Sequence, residues 1–251
     1  MPSSKISKTT PDVATYPTVV ILARAGSKGI KAKNIQKVGG FSLVERSIIT
    51  SMRSRFGEEG DVFVYSDCEK TLQIADKHGA IALEREAEWA TDEQGSEEIV
   101  AHFLDNYHDF IFPPDPVCLV QPTSPFLRPD DLNEGLKVFE SADYDSAISA
   151  TRFHGFIGLG GSTNTWEAIC PRGRPRRQEM TPLWLETGMF YLARREDWLA
   201  GRRFGDAPGI VEVEDSWRAV EVDDPVDLAA ARCLSKIYDR GTWVEKRKAR
   251  R

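Results

Sequence analysis

Two continuous apolar runs, TVVILA at Thr18–Ala23 and VCLV at Val117–Val120, constrain this chain more than any other feature. A strand with one wetted face alternates apolar and polar residues. These runs do not alternate, so each reads as a strand buried on both faces, as in a parallel sheet covered by helices. The segments between them fit that layout. Ser42 is placed to cap a helix running to about Arg55, with Leu43, Ile48, Ile49 and Met52 on its apolar side. DVFVY (Asp61–Tyr65) reads as a second strand, EKTLQIADKHG as a helix stopped by Gly79, and AIAL as a third strand. Ser96 is placed to cap the next helix, whose Ile99, Val100, Phe103 and Leu104 face inward. Asp130–Glu140 and Pro225–Ile237 read as helices, SAISAT and GMFYLA as strands. This alternation predicts an α/β fold with a mixed, mainly parallel sheet flanked by helices.

Residues 153–185 are rich in Gly, Pro and Arg and show no helical period, so they read as an excursion from the sheet, built of hairpins. The expected organisation is a flexible tail over 1–15, one domain over 16–240 and a basic tail over 241–251.

With 251 residues, 41% of them hydrophobic, the chain can bury one substantial core. A net charge of −6 argues against nucleic acid or an anionic membrane as partner. Cys68, Cys118, Cys170 and Cys233 form no CxxC pair, which argues for reduced cytosolic thiols rather than a zinc site or a disulfide framework. The first sixteen residues lack an apolar core of the secretory type, and no apolar run approaches a membrane span. The expected location is the cytoplasm.

The local charge runs against the global one. From Val13 to Val44 there is no Asp or Glu, while Arg24, Lys28, Lys31, Lys33 and Lys37 all fall there. The stretch ARAGSKGIKAKN directly follows the first buried strand. In open α/β sheets ligands bind beyond the carboxyl ends of the strands, and small residues let backbone N–H groups approach an anion. The composition suggests a polyphosphate cradle; a solvated basic turn has the same composition. Neither GxxxxGK[ST] nor GxGxxG is present, so two common phosphate loops are excluded.

At this point the residues resemble a family. ARAGSKGIKAKN is similar to the signature of the CMP-sugar-acid synthetases, the acylneuraminate cytidylyltransferases. The resemblance continues in order through AEWATD (Ala87–Asp92), LVQPTSPFLR (Leu119–Arg128), RRQEMTPLWLETGMFYL (Arg176–Leu192) and AVEVDDPVDL (Ala219–Leu228). It spans roughly residues 17–235. It implies a Rossmann-like nucleotide-diphospho-sugar transferase fold with a small protruding dimerisation arm over 153–185, and a homodimer. The implied reaction is CTP plus a sugar acid giving a CMP-sugar acid and pyrophosphate.

Transfer of this kind is catalysed mainly by positioning and charge neutralisation. Arg24 and Lys28 are the expected catalytic cations on the triphosphate, one a bidentate fork and the other a point charge. The resemblance adds Ala23, Gly26, Ser27, Lys33, Asn34 and Asp92 to the nucleotide site. It also places Arg85 near the base, although a surface strand end explains that residue equally well. Magnesium or manganese would need hard oxygen ligands, and Glu221 and Asp223 lie two residues apart before a helix. Asp224 and Asp227 read as serving that helix's N-terminus. Gln121, Thr123 and Ser124 follow a buried strand into the same crevice; with Gly188 and Tyr191 they are the expected acceptor contacts.

The acceptor half departs from the family. Relatives handling nonulosonic acids carry a lysine near Phe156–Gly160 and Arg-x-Asn-Gly before the aromatic strand. Here Leu159 stands in a stretch without lysine, and the second motif reads LETG, with Leu185 for Arg and Thr187 for Asn. Glu221 also replaces a family Asp. Arg174, Arg176 and Arg177 are candidate replacements for the missing cations; a solvated loop or a dimer contact would also explain them. These departures leave room for another acceptor, such as a phosphonate or a sugar-1-phosphate, or for a relative that has lost turnover. His102, His108 and His154 lack metal-type spacing, and Trp166, Trp184, Trp198 and Trp217 read as core or interface residues.

Overall fold

Strand β1 (Tyr16–Leu22) lies near the middle of a seven-stranded sheet. The computed structural model describes residues 16–107, 113–153, 155–160, 166–168, 176, 179 and 183–238. His108, His154, Cys170, Arg174, Arg177 and both expected tails lie outside these residues.

The chain leaves β1 through the cation-rich loop and a short hairpin, β2 (Lys37–Val38) and β3 (Phe41–Ser42). Helices α1 (Leu43–Met52) and α2 (Arg55–Glu59) then return it to β4 (Asp61–Ser66), parallel to β1 with Val19 beside Val62. Helix α3 (Glu69–His78) leads to β5 (Ile81–Glu84) at the sheet edge. Helix α4 (Ser96–Asn106) carries the chain back past β1 to β6 (Pro114–Val120), parallel to β1 on its other side. This reversal between β1 and β6 is a topological switch point, the usual ligand position in such sheets.

Beyond β6 come α5 (Pro129–Glu140), β7 (Ser146–Phe153), and a small hairpin of β8 (Gly158–Gly160) with β9 (Trp166–Ala168). Then follow β10 (Leu183–Ala193), α6 (Arg195–Leu199), β11 (Pro208–Glu212) and α7 (Pro225–Tyr238). The sheet order is β11-β7-β10-β6-β1-β4-β5, with β10 antiparallel to both neighbours. The mixed, mainly parallel sheet is the architecture expected from the two apolar runs.

Both faces of the sheet are covered. Val19, Ile21, Val62, Val64, Cys118 and Val120 pack on one side with Val44, Ile48, Leu132 and Leu136 from α1 and α5. Val20, Phe63, Leu119 and Tyr191 pack on the other with Ile99, Val100 and Phe103 from α4, and with Trp198. A third cluster lies outside the sheet and joins Ile30, Val38, Leu43, Phe126, Val222, Leu228 and Ala231. It matters for function, because Ile30 belongs to the cation loop, Phe126 to the loop after β6 and Val222 to the acidic segment. Burial of one such side chain is worth ~1.5–3 kcal/mol, so three loops are fastened to one apolar base. Arg46 reinforces that base, donating from Nε to the Pro125 carbonyl at 2.6 Å and from Nη1 to that of Val38 at 3.2 Å.

Local signals decide most element ends. Ser42 accepts from the Glu45 N–H while Glu45 accepts from the Ser42 N–H, a reciprocal cap. Gly79 ends α3 with φ of 79°, a left-handed turn that glycine adopts without strain. Four expectations are corrected. Helix α1 ends at Met52, and Arg55 opens α2 instead. The α4 cap is Gly95, whose N–H donates to Glu98 Oε2 at 3.1 Å, so Ser96 is the first helical residue. Strand β10 begins at Leu183, inside the expected excursion, because its first residues pair with the end of β7. Helix α6 and edge strand β11 were not anticipated. No helix among the described residues is long and apolar enough to cross a membrane.

Candidate active site

A cavity of about 150 Å³ opens at the switch point between β1 and β6. Leu22, Arg24, Gly26, Ser27, Lys33 and Asn34 line one wall. Leu119, Gln121, Pro122 and Thr123 line the opposite wall, and Ser96 closes one end. Sequence positions separated by about a hundred residues meet because the two central strands end side by side.

The cation loop is held by the neighbouring strand. Ser66 Oγ donates to the Ala23 carbonyl at 2.5 Å, and Asp67 Oδ1 accepts from the Ala25 N–H at 2.7 Å. Ala32 adopts φ of 52°, in the left-handed region, and this turn brings Lys33 and Asn34 back toward the cavity. Asn34 Nδ2 donates to the Arg24 carbonyl at 2.9 Å, closing the loop on itself.

Three cations carry the loop's chemistry. Arg24 Nη1 donates to the Thr91 carbonyl at 2.9 Å, and its Nη2 pairs with Asp92. Lys28 Nζ reaches the other Asp92 oxygen at 3.0 Å. Lys28 first and Arg24 next hold the Asp92 carboxyl below the ordinary aspartate range. Lys33 Nζ lies 3.0 Å from Asp223 Oδ1. The loop cations Arg24, Lys28 and Lys33 are thus paired with the carboxylates of Asp92 and Asp223.

The acidic segment lies against this loop. A Cβ on Gly29 would stand 2.2 Å from the Asp223 carbonyl oxygen, so only glycine permits the approach. Glu221 Oε1 accepts from Thr123 Oγ1 at 3.1 Å. Burial first, and the Asp223 charge second, push the Glu221 carboxyl above its ordinary value. Asp227 Oδ2 accepts from the Asp223 and Asp224 N–H groups and Asp224 Oδ1 from those of Val226 and Asp227. Asp224 and Asp227 are thus spent on the start of α7. Glu221 and Asp223 remain, a half-buried and an exposed carboxylate that repel each other. Two hard oxygen donors in mutual repulsion suit a hard dication with remaining ligands from phosphate and water. No group of three or more His, Cys, Asp or Glu placed for a metal occurs among the described residues.

Other expected site residues fall in varied places. Arg85 is buried, its side chain 1% exposed, which removes the surface-strand-end explanation. Its Nε and Nη2 have no hydrogen-bond partner; Asp67 is 3.8 Å away and the Tyr65 ring 5.8 Å. Burial pushes the guanidinium pKa down. An unsatisfied buried cation of this kind costs free energy and awaits a polar partner. Ala23 lies in the core. Ser124 is also buried, donating to the Thr187 carbonyl at 3.4 Å, and shapes the turn behind Thr123 rather than facing the cavity.

Gly188 has φ of 65° inside a bulge between Glu186 and Tyr191, where β10 detaches from β7. A side chain there would meet the Glu221 carboxylate at 3.0–3.2 Å. Tyr191 is buried and its hydroxyl donates to Glu186. Arg176 is exposed. Leu159 and Leu185 are 60% and 51% exposed. His102 is structural in placement, stacked on Trp89 at 3.9 Å with Nδ1 3.0 Å from the Tyr65 hydroxyl. Sequence reasoning missed Glu97, Glu186 and Arg203, which meet beside Tyr191.

Fold and site together define an α/β protein whose cation-rich loop follows a central strand of the sheet and lies against an acidic segment. The cytidylyltransferase family matches residues 18–156, and the chain belongs to it. It is 31% identical over 219 residues to N-acylneuraminate cytidylyltransferase A of Danio rerio, covering 85% of this chain and 49% of that protein. It is 25% identical over 231 residues to CMP-N,N'-diacetyllegionaminic acid synthase of Legionella pneumophila, covering 87% of this chain and 95% of that protein. The chain spans about half the length of the N-acylneuraminate cytidylyltransferases it matches. Its fold is similar to that of CMP:2-keto-3-deoxy-manno-octonic acid synthetase complexed with CTP, with a TM-score of 0.63, 15% identity, and coverage of 88% and 99%.

Proposed function

We propose that this chain transfers CMP from CTP to a sugar acid and releases pyrophosphate. The observation that carries the reading is a cavity lined by Arg24 and Lys33 of the cation loop, with Arg24 and Lys28 gathered on Asp92 and Lys33 reaching Asp223. Arg24, Lys28 and Lys33 would bind the triphosphate oxygens, trading their present carboxylate partners for phosphate. Gly26, Ser27, Asn34 and Asp92 would line the nucleotide. Arg85, with two buried donors unspent, would meet the base. Gln121, Thr123, Gly188 and Tyr191 would bound the acceptor. Glu221 and Asp223 would hold Mg²⁺ or Mn²⁺, which supplies charge neutralisation of the phosphates.

Leu159 and Leu185 stand where the family resemblance would place cations for a nonulosonate carboxylate. A carboxylate without its usual partner loses several kcal/mol of affinity. N-acetylneuraminate should therefore be a poor substrate, and an acid with a different anionic handle a better one. The test is CTP-dependent pyrophosphate release with N-acetylneuraminate, N,N'-diacetyllegionaminate, 2-keto-3-deoxyoctonate and 2-hydroxyethylphosphonate, repeated with ATP, GTP and UTP. A kcat/KM for N-acetylneuraminate near or above about 10⁴ M⁻¹s⁻¹ would refute the specificity reading. Absence of CTP-dependent release with every acceptor would refute the transferase reading.

We further propose that residues 153–185 form a dimerisation arm within a homodimer. Phe156, Leu159, Trp184 and Leu185 are exposed apolar side chains on or beside β8 and the outer end of β10. Such a patch marks an interaction surface. Sedimentation velocity at micromolar concentration should give a dimer; a lone monomer peak at all concentrations would overturn the assignment.

A further inference from the structure

A cation outside the loop after β1 lies against Tyr191, one of the residues proposed to bound the acceptor. Arg203 follows α6 and lies over the Tyr191 ring, 4.6 Å from its centroid. Its Nε donates to Glu97 Oε1 at 2.5 Å. Its Nη1 is 4.0 Å from Glu186 Oε1, beyond hydrogen-bond distance. The two terminal nitrogens make no hydrogen bond among the described residues, and the side chain is 30% exposed. One edge of the guanidinium is therefore fixed and the other is open.

Two partners of this group adjoin residues that line the cavity. Glu97 follows Ser96, which lines it. Tyr191 pairs across the sheet with Leu119, which also lines it. Glu186 meanwhile already accepts from the Tyr191 hydroxyl, so it can yield Arg203 to another anion without losing its only partner.

We propose that Arg203 is a specificity-determining residue whose open Nη edge binds the anionic group of the acceptor, in place of the cations absent at Leu159 and Leu185. The inference rests on the transferase reading above. Glu97 and the Tyr191 ring hold the guanidinium flat and aimed. A planar fork fixed at one edge suits a two-oxygen or three-oxygen anion, either carboxylate or phosphonate. Glu186 occupies that edge loosely in the free protein and would turn to sugar hydroxyls once displaced.

The test uses the full chain with CTP and the best acid and best phosphonate of the panel. Arg203→Met keeps the stem over the Tyr191 ring and removes the charge; Arg203→Lys keeps the charge and removes the fork. In Arg203→Met the acceptor kcat/KM should fall roughly 30-fold or more, the scale for truncating one member of a charge pair. The KM for CTP, and CTP binding by calorimetry, should stay within about twofold. The preference for the acid over its primary amide should collapse, and Arg203→Lys should recover only part of it. A larger loss on the phosphonate than on the acid would identify phosphonate as the group bound. An unchanged acid-to-amide preference, or equal losses toward CTP and acceptor, would overturn the proposal and leave Arg203 a structural residue. Failure of the parent protein to turn over or bind any acid or phosphonate would overturn the transferase reading itself, and is seen before any variant is made.

Discussion

Arg24→Ala should lose ~2–4 kcal/mol of transition-state stabilisation while the protein folds normally, a fall of about 30-fold to 1,000-fold in kcat/KM. The scale is that of one charged donor aimed at developing negative charge in a site partly shielded from water. Arg24 qualifies because it lines the cavity and is held from behind by the Thr91 carbonyl at 2.9 Å. Its side chain is 32% exposed, so truncation opens no core cavity. The loop also keeps its anchors, since Ser66 and Asp67 grip the backbone of Ala23 and Ala25, and Asn34 grips the carbonyl of Arg24, not its side chain. Because the pyrophosphate charge grows as the bond breaks, kcat should fall together with kcat/KM. Lys28→Ala should cost less. Its side chain is 81% exposed and its ion-pair partner among the described residues is Asp92, so solvent screens more of its field. Steady-state kinetics of both variants, with circular dichroism to check the fold, measure this. Parent-like turnover by Arg24→Ala would remove the cradle assignment.

The legible parts of this molecule are those written in neighbouring residues. Continuous apolar stretches announced β1 and β6, and a parallel sheet follows because only helices on both faces can bury such strands. Ser42 with Glu45, and Gly79, marked helix ends by local chemistry. The cation loop stood out because its charge opposes that of the chain. Edge strand β11 was illegible: Pro208 and Gly209 open it, and its pairing with β7 is tertiary. Arg85, between Glu84 and Glu86, reads equally as a surface strand end or a base contact, and the fold buries it and leaves two donors unspent. The Glu97–Arg203 pair joins residues 106 apart in the chain, and no local spacing encodes such a meeting. Features carried by one loop can be read in sequence; the meeting of several strand ends with an edge loop cannot.

The second large effect belongs to the acidic segment. Asp223→Asn should lower turnover by more than 100-fold at ordinary Mg²⁺, since the hydrogen-bond partners of metal ligands alone are worth roughly 10–100-fold. A neutral amide is a poor donor to a hard dication, and it also removes the anion beside Lys33. The substitution should leave the fold intact, because Asp223 is exposed and its segment is fastened by buried Val222 and by the Val222 N–H donating to the Thr123 carbonyl at 2.8 Å. The geometry also explains why a neighbouring carboxylate cannot substitute. Asp224 and Asp227 are bound to backbone N–H groups at the start of α7, and Glu221 is held at Thr123. The close approach of Gly29 to the Asp223 carbonyl fixes the cation loop against this segment, so a metal held by Glu221 and Asp223 would add its charge to that of the loop cations. Two readouts separate the metal role from a purely electrostatic one. Mn²⁺ binding followed by electron paramagnetic resonance should weaken in Asp223→Asn, and excess Mn²⁺ should restore part of the activity. An Asp223→Asn protein that binds Mn²⁺ like the parent, or a parent protein fully active in excess EDTA, would show that this pair of carboxylates does not serve a metal.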